Sequence, residues 1–158
     1  EVLRNVSRST DHVVRWGGDE FLLLCRDLDI TAAAELAERV RSSVSKQIFR
    51  VGEGAATRTS CSVGFAVFPF VPEVPDRSGW EESLAMADAA LYQAKRLRNA
   101  WVGWRGTSRI AALDSLADAV ERDATALEEG GYIEVYRPPP RHDETVDRLR
   151  VLGGPADR

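Results

Sequence analysis

Residues 21–25 read Phe-Leu-Leu-Leu-Cys, apolar at every position, and Gly17-Gly18-Asp19-Glu20 separates them from Asp11 to Trp16, a run containing Val13 and Val14. Two apolar runs joined by a few Gly and Asp residues read as a β-hairpin. The lack of polar alternation in Phe21 to Cys25 predicts a strand covered on both faces, which constrains the fold more than any other feature of the chain.

The rest of the pattern alternates helix and strand. A helix is expected from about Thr31 to Val44, where Leu36, Val40 and Val44 fall at i, i+4 and i+8 with Ala33 and Ala37 beside them. Asp29 or Thr31 can cap its start, and Arg39 and Arg41 lie off the stripe, toward solvent or a ligand. Gly52 to Ala56 reads as a hairpin turn. Thr59 to Phe70, rich in β-branched and aromatic residues, reads as a long strand ending at Pro69. After a loop from Val71 to Gly79, a second helix is expected over about Trp80 to Arg98. Ser78 and Glu81 offer it a capping box, and Leu84, Ala87, Leu91 and Ala94 a buried stripe. Trp101 to Trp104 reads as a strand packed by its two tryptophans. From Thr107 the character changes: Ile110, Leu113, Ala117, Val120, Ala124 and Leu127 keep helical spacing as a packing face, and Gly130-Gly131 stops them. Tyr132 to Tyr136 can form a further strand. Pro138-Pro139-Pro140 favours extended polyproline conformation, and the charged remainder reads as loose.

Composition narrows the classes. The chain has 158 residues, 44% hydrophobic and 29% charged, with a net charge of -4. That length supports one compact domain, and the acidic balance argues against a general nucleic-acid binder. It leaves room for a phosphate ligand held by local cations. No apolar run approaches the roughly 20 residues that span a bilayer, so no membrane contact is expected of this segment. The chain opens at Glu1 without a methionine, which reads as a piece of something longer whose membrane anchor, if it has one, lies elsewhere. Cys25 and Cys61 sit in apolar runs, with no His or Cys nearby to complete a metal site, and read as reduced packing residues. His12 and His142 are isolated and receive no role.

At the hairpin tip, two glycines remove side-chain bulk, so a ligand can approach the backbone. Asp19 and Glu20 repel each other, and a divalent cation would relieve that repulsion. Hard oxygen ligands suit magnesium, the usual partner of a nucleoside triphosphate. The same four residues also suit a plain surface turn, and spacing alone leaves both readings open.

The wider string is more specific. Gly17-Gly18-Asp19-Glu20-Phe21 is the signature of the GGDEF family, and Val13-Val14-Arg15-Trp16 resembles the strand that precedes it. Thr59 to Pro69 resembles the family's T-x-S-x-G-x-A-x-x-P strand. Ala87 to Lys95 resembles its A-D-x-A-L-Y-x-A-K helix, and Arg98-Asn99 the R-N pair that follows. The match covers about residues 4 to 106, with 107–158 left as a C-terminal helix and Pro-rich tail. It implies an α/β, nucleotidyl-cyclase palm-like sandwich, a mainly antiparallel sheet with packed helices. It also implies a diguanylate cyclase that condenses two GTP into cyclic di-GMP with magnesium or manganese. Because each subunit brings one GTP, a homodimer is implied too, in a cytoplasmic setting.

Residue by residue, the resemblance gives Asp19 and Glu20 catalytic and metal-binding roles. It places Gly17 and Gly18 under the nucleotide, and Lys95 and Arg98 on its phosphates. Those roles suit phosphoryl transfer, which is chiefly positioning and charge neutralisation; a solvated helix end is the plain alternative for the two cations. Arg96-Leu97 make a shorter junction before Arg98 than the family's, without its glycine. The family's N-terminal strand, with a second metal-binding Asp, and its next helix, with a guanine-reading Asn, are not in the chain; Glu1 to Val6 resembles the end of the following helix. Arg8-x-x-Asp11, five residues ahead of the signature, resembles the family's inhibitory product site, which Arg39 joins. Two arginines and a carboxylate suit guanine: an Arg fork reaches O6 and N7, and Asp accepts from N1–H and the 2-amino group. The rival readings are a non-catalytic cyclic di-GMP receptor using Arg8, Asp11 and Arg39, and a GTP-binding module that controls a partner phosphodiesterase.

Overall fold

The computed structural model describes residues 1–52, 55–113 and 115–139. Glu53 and Gly54 of the expected turn, and the tail from Pro140 with His142, lie outside the described residues. The first hairpin pairs β1 (His12–Gly17) with β2 (Glu20–Leu24), His12 opposite Leu24 and Arg15 opposite Phe21. The register slips between Arg15 and Gly17, so Trp16 is bulged out. The cover expected for both faces of β2 is not there: Phe21 and Leu24 are each 52% exposed. Among the described residues β2 pairs with β1 alone, and a two-stranded ribbon cannot bury both of its faces.

Helix α2 (Ile30–Lys46) starts at Asp29, whose carboxylate accepts from the Ala32 amide at 2.8 Å. Of the two caps the sequence offers, Asp29 is the one used. Its buried face is Leu36, Ala37, Val40 and Val44, as the spacing predicts. The short helix α1 (Val2–Val6) packs against it. A second hairpin follows, β3 (Phe49–Val51) with β4 (Ala55–Thr57).

The long strand expected over Thr59 to Phe70 is only β5 (Val63–Ala66). Beyond it the chain turns so that Phe70 and Val71 become fully buried, and the Phe70 carbonyl accepts from the Gly106 amide at 2.8 Å. β5 lies parallel to β6 (Trp101–Gly106), which pairs antiparallel with β7 (Ile133–Tyr136), giving the order β5-β6-β7. Antiparallel pairing thus prevails, but the described strands form three small sheets. Phe65 lies over Gly103, where a Cβ would strike its ring, and tilts against Trp101 at 5.9 Å.

Helix α3 (Trp80–Leu97) packs on β5 and β6. Its deepest face is Ser83, Met86, Ala90 and Ala94, about one position from the expected stripe. The shift follows from Gly64: β5 approaches so closely that a Cβ there would meet the Leu91 amide and the Ala87 carbonyl. The Ala87–Leu91 side therefore lies directly on the face of β5 at Gly64, and the neighbouring face carries the deepest side chains. The expected capping box does not form. Gly79 is the N-cap and makes no side-chain cap bond, while Ser78 is buried in the loop before it.

The segment expected as one helix from Ile110 to Leu127 is broken into a 3₁₀ turn, Ser108–Ala112, and α4 (Leu116–Glu129). Ser115 caps α4, and Asp123 leaves helical geometry at φ -164° and ψ 96°. Its side chain instead accepts from the Thr125 and Ala126 amides, recapping the last turns. Ile110, Leu116, Leu127 and Ile133 enter one core with Phe70, Met86 and Trp104. Each fully buried side chain of this size contributes about 2 kcal/mol. α4 ends at Gly130, followed by Gly131 at φ +67°, as the Gly-Gly stop predicts.

Candidate active site at the first hairpin

Gly18 and Asp19 are the two central residues of the β1–β2 turn, flanked by the Gly17–Glu20 pair. Gly18 stands at φ +52°, the left-handed region that two-residue hairpins assign to glycine. A Cβ on Gly17 or Gly18 would meet nothing within 4 Å, so the space above the turn is open. Arg15, to which the sequence reading gave no role, reaches across the turn. Its Nε and Nη2 donate to the Gly18 carbonyl at 3.0 and 2.7 Å.

Asp19 is exposed, and Glu20 beside it accepts a hydrogen bond from Lys95 Nζ at 2.6 Å. Lys95 comes from the last turn of α3, 75 residues away in sequence. Its pKa is raised, first by the hydrogen bond to Glu20; partial desolvation opposes this, and the charges of Glu20, Asp19 and Asp88 assist it. Both partners are about half exposed, so water screens the pair and its own worth is under about 1 kcal/mol. It gathers charge at the turn more than it holds the fold together.

Arg98 is the C-cap of α3, at φ +57°, and the next residue, Asn99, stands at φ +44°. This pair of left-handed residues replaces the missing junction glycine. Arg41 braces it: Nη1 donates to the Asn99 side chain at 3.1 Å, while Nε donates to Glu38 at 2.8 Å. The Arg98 side chain is exposed and makes no hydrogen bond or ion pair among the described residues, so it is not joined to Glu20 or Lys95. Arg41 was legible only as an off-stripe arginine; its partner Asn99 lies 58 positions away.

The residues of the other expected site make local bonds just before the hairpin and from α2. Asp11 accepts from the Arg8 amide at 2.7 Å, and the Arg8 carbonyl accepts from the Asp11 amide at 3.1 Å. Arg39 reaches the Val6 carbonyl at 3.4 Å. The Cys25 thiol lies within electrostatic reach of all three, and its pKa is raised to about 11. Burial is the largest cause; the Asp11 charge adds to it, and the charges of Arg8 and Arg39 oppose it. Cys25 and Cys61 are free thiols, half-buried rather than fully buried as expected, and burial raises Cys61 as well.

Residues 1–100 match the family model described as "Diguanylate cyclase, GGDEF domain". The chain belongs to the GGDEF domain family. It is 37% identical over 103 residues to diguanylate cyclase DosC of Escherichia coli strain K12, covering 61% of this chain and 21% of that protein. It is 34% identical over 113 residues to diguanylate cyclase TpbB of Pseudomonas aeruginosa strain UCBPP-PA14, 71% of this chain and 23% of that protein. Diguanylate cyclase A of Treponema denticola is 27% identical over 96 residues, 61% of this chain and 24% of that protein. The chain thus spans less than a quarter of the length of these relatives.

The GGDEF letters fall on the turn that carries Asp19 and Glu20. GGDEF domains are generally dependent on a divalent metal. Among the described residues no group of three or more His, Cys, Asp or Glu side chains makes a closed metal cage. Two adjacent carboxylates do fit magnesium, which keeps several waters and commonly takes one or two carboxylates plus substrate phosphates. No helix among the described residues is long and apolar enough to cross a membrane.

Proposed function

We propose that the chain carries the C-terminal part of a diguanylate cyclase catalytic domain, which condenses two GTP into cyclic di-GMP. Residues 1–106 form the GGDEF domain, without its N-terminal strand and helix, and 107–158 a C-terminal extension. The observation that carries this reading is the turn itself: Asp19 and Glu20 side by side under open space, with Lys95 against Glu20. Gly17 and Gly18 let the nucleotide lie close to the backbone. Lys95 exchanges its carboxylate partner for substrate phosphate, and Arg98, free of other partners among the described residues, adds a second cation. Magnesium or manganese at Asp19 and Glu20 supplies phosphate charge neutralisation and a lowered pKa for the attacking 3′-hydroxyl. Two copies face each other in a homodimer, each presenting one GTP, in the cytoplasm, with neither nucleic acid nor membrane as a partner of this segment.

The test is product formation. The longer protein containing this chain, given GTP and magnesium, is expected to form cyclic di-GMP, separable by chromatography, and Asp19→Ala to abolish it. Residues 1–158 alone are expected to form none, because two carboxylates are half a metal site. An Asp19→Ala protein with full activity would overturn the assignment.

A second reading is a cyclic di-GMP receptor, and the Arg8–Asp11 bond, with Arg39 reaching the Val6 carbonyl two residues before Arg8, favours it. The two readings share this site, as product inhibition in an enzyme and as the whole function in a receptor. Calorimetric titration of residues 1–158 with cyclic di-GMP is expected to show binding. Arg8→Ala removes a fork worth about 1–3 kcal/mol, so affinity falls up to about a hundredfold. Lysine offers no planar fork and rescues poorly. Equal binding by wild type and Arg8→Ala would remove the site, while binding without any synthesis by the longer protein would favour the receptor.

A further inference from the structure

We propose that Arg15 is a positioning residue that selects one of two conformations of the hairpin turn and so aims the Asp19 carboxylate. This rests on the reading of that turn as the metal and nucleotide site. A two-residue hairpin turn has two common forms, related by a flip of the peptide plane between its central residues. One form needs positive φ at the first central residue only, and the other at both. Here positive φ occurs at Gly18 and not at Asp19, so the turn is of the first kind. The sequence does not enforce that choice. Glycine accepts either form, and aspartate tolerates positive φ better than most residues.

Arg15 supplies the missing preference. The carbonyl of the plane in question is that of Gly18, and Arg15 donates to it twice, through Nε at 3.0 Å and Nη2 at 2.7 Å. A flip would swing this oxygen to the other side of the turn and break both bonds. Arg15 makes no ion pair among the described residues, so its charge is directed at this one backbone oxygen. The plane's other end is the Asp19 amide. Fixing the plane fixes Asp19 φ, and with it the direction of the Asp19 side chain relative to Glu20. Glu20 is held independently, through Lys95 at 2.6 Å. The two carboxylates are thus aimed by separate cations, one acting through the backbone and one directly.

The experiment uses isotopically labelled residues 1–158 as wild type, Arg15→Met and Arg15→Lys. Three quantities are measured: the amide–Hα three-bond coupling of Asp19, the Gly18 carbonyl shift, and, in the longer protein with the same substitutions, Mn2+ uptake by electron paramagnetic resonance. Arg15 is exposed, so thermal unfolding is expected to stay unchanged in both variants. In Arg15→Met the Asp19 coupling moves toward the average of the two turns. The Mn2+ dissociation constant rises about two- to fivefold, as the competent turn becomes one of two populated forms. Lysine, a single-point donor, recovers part of both. An unchanged Asp19 coupling in Arg15→Met overturns the clamp, whatever the metal does. A changed coupling with unchanged Mn2+ affinity overturns the positioning role. A longer wild-type protein that takes up no Mn2+ overturns the metal reading on which that role rests, a result distinct from failure of the clamp.

Discussion

Gly64 is where β5 meets the backbone of α3. The strand β5 lies so close to α3 that a Cβ on Gly64 would overlap the Leu91 amide nitrogen and Cα and the Ala87 carbonyl. These are backbone atoms of a helix, unable to swing aside as a side-chain tip could. Gly64→Ala must therefore push α3 off the sheet. Overpacking a tight core by one methyl costs about 1–3 kcal/mol, and a rigid helix backbone puts this case at the upper end, about 3 kcal/mol. With a urea dependence of about 1.5 kcal/mol per molar, the unfolding midpoint falls by about 2 M. The displacement also has a local consequence, because α3 carries Lys95 to Glu20. Gly17→Ala is the control: its Cβ would meet nothing within 4 Å and its φ is not positive, so about 0.5 kcal/mol or less is expected. Urea unfolding followed by circular dichroism compares the three proteins. If Gly64→Ala unfolds at the wild-type midpoint, the close approach of β5 to α3 is wrong, and with it the account of why the buried face of α3 is shifted.

Two further outcomes probe the thiol cluster and the C-terminal segment. Cys25 is held protonated up to about pH 11, so alkylation by iodoacetamide in the Cys61→Ser protein should be very slow at pH 8 and climb about tenfold per pH unit until near 11. A plateau near pH 9, the ordinary thiol value, would show that Asp11 and burial do not act on it. Leu116 is 2% exposed in the shared core, so Leu116→Ala should cost about 3 kcal/mol by the same urea assay; a loss under about 0.5 kcal/mol would mean that α4 does not contribute to that core.

The helices and the signature turn were legible because their signals are local. The α2 face follows from Leu36, Val40 and Val44 alone, and the Gly-Gly stop after α4 from two adjacent letters. Three features were not legible, and for the first two a partner distant in sequence decides. Periodicity gave α3 a stripe through Leu84 and Leu91, but the deepest face depends on where Gly64 sits, 27 positions before Leu91. The long strand predicted to Phe70 stops at Ala66 because Phe70 and Val71 are drawn into the core that Trp104 and Ile110 complete. The capping box at Ser78 is lost to burial of that same residue. In the candidate site, Asp19 and Glu20 are marked by spelling and Lys95 by its helix motif, and the structure brings Lys95 to Glu20. Arg15 has no such mark, because its acceptor is a backbone carbonyl and any residue type could supply one.

The exposure of β2 and the chemistry of the turn are connected. Phe21 and Leu24 are half exposed, and Trp16 is 62% exposed, so little apolar burial fixes the outer part of this ribbon. A two-stranded hairpin is marginal by itself. On the proposed reading its turn presents two carboxylates in a defined direction, and charge rather than packing holds it there. Arg15 holds the turn's own peptide plane, and Lys95 ties Glu20 to the end of α3, an element anchored by Met86, Ala90 and Ala94 in the core. Each link lies in water and is individually weak. Together they make the turn's geometry responsive to any anion or cation that competes for these partners. On the proposed reading, a substrate phosphate drawing Lys95 away would leave Glu20 free at the moment a cation arrives with that phosphate. The ribbon's sparse packing is therefore consistent with a site whose two carboxylates are assembled by its ligands.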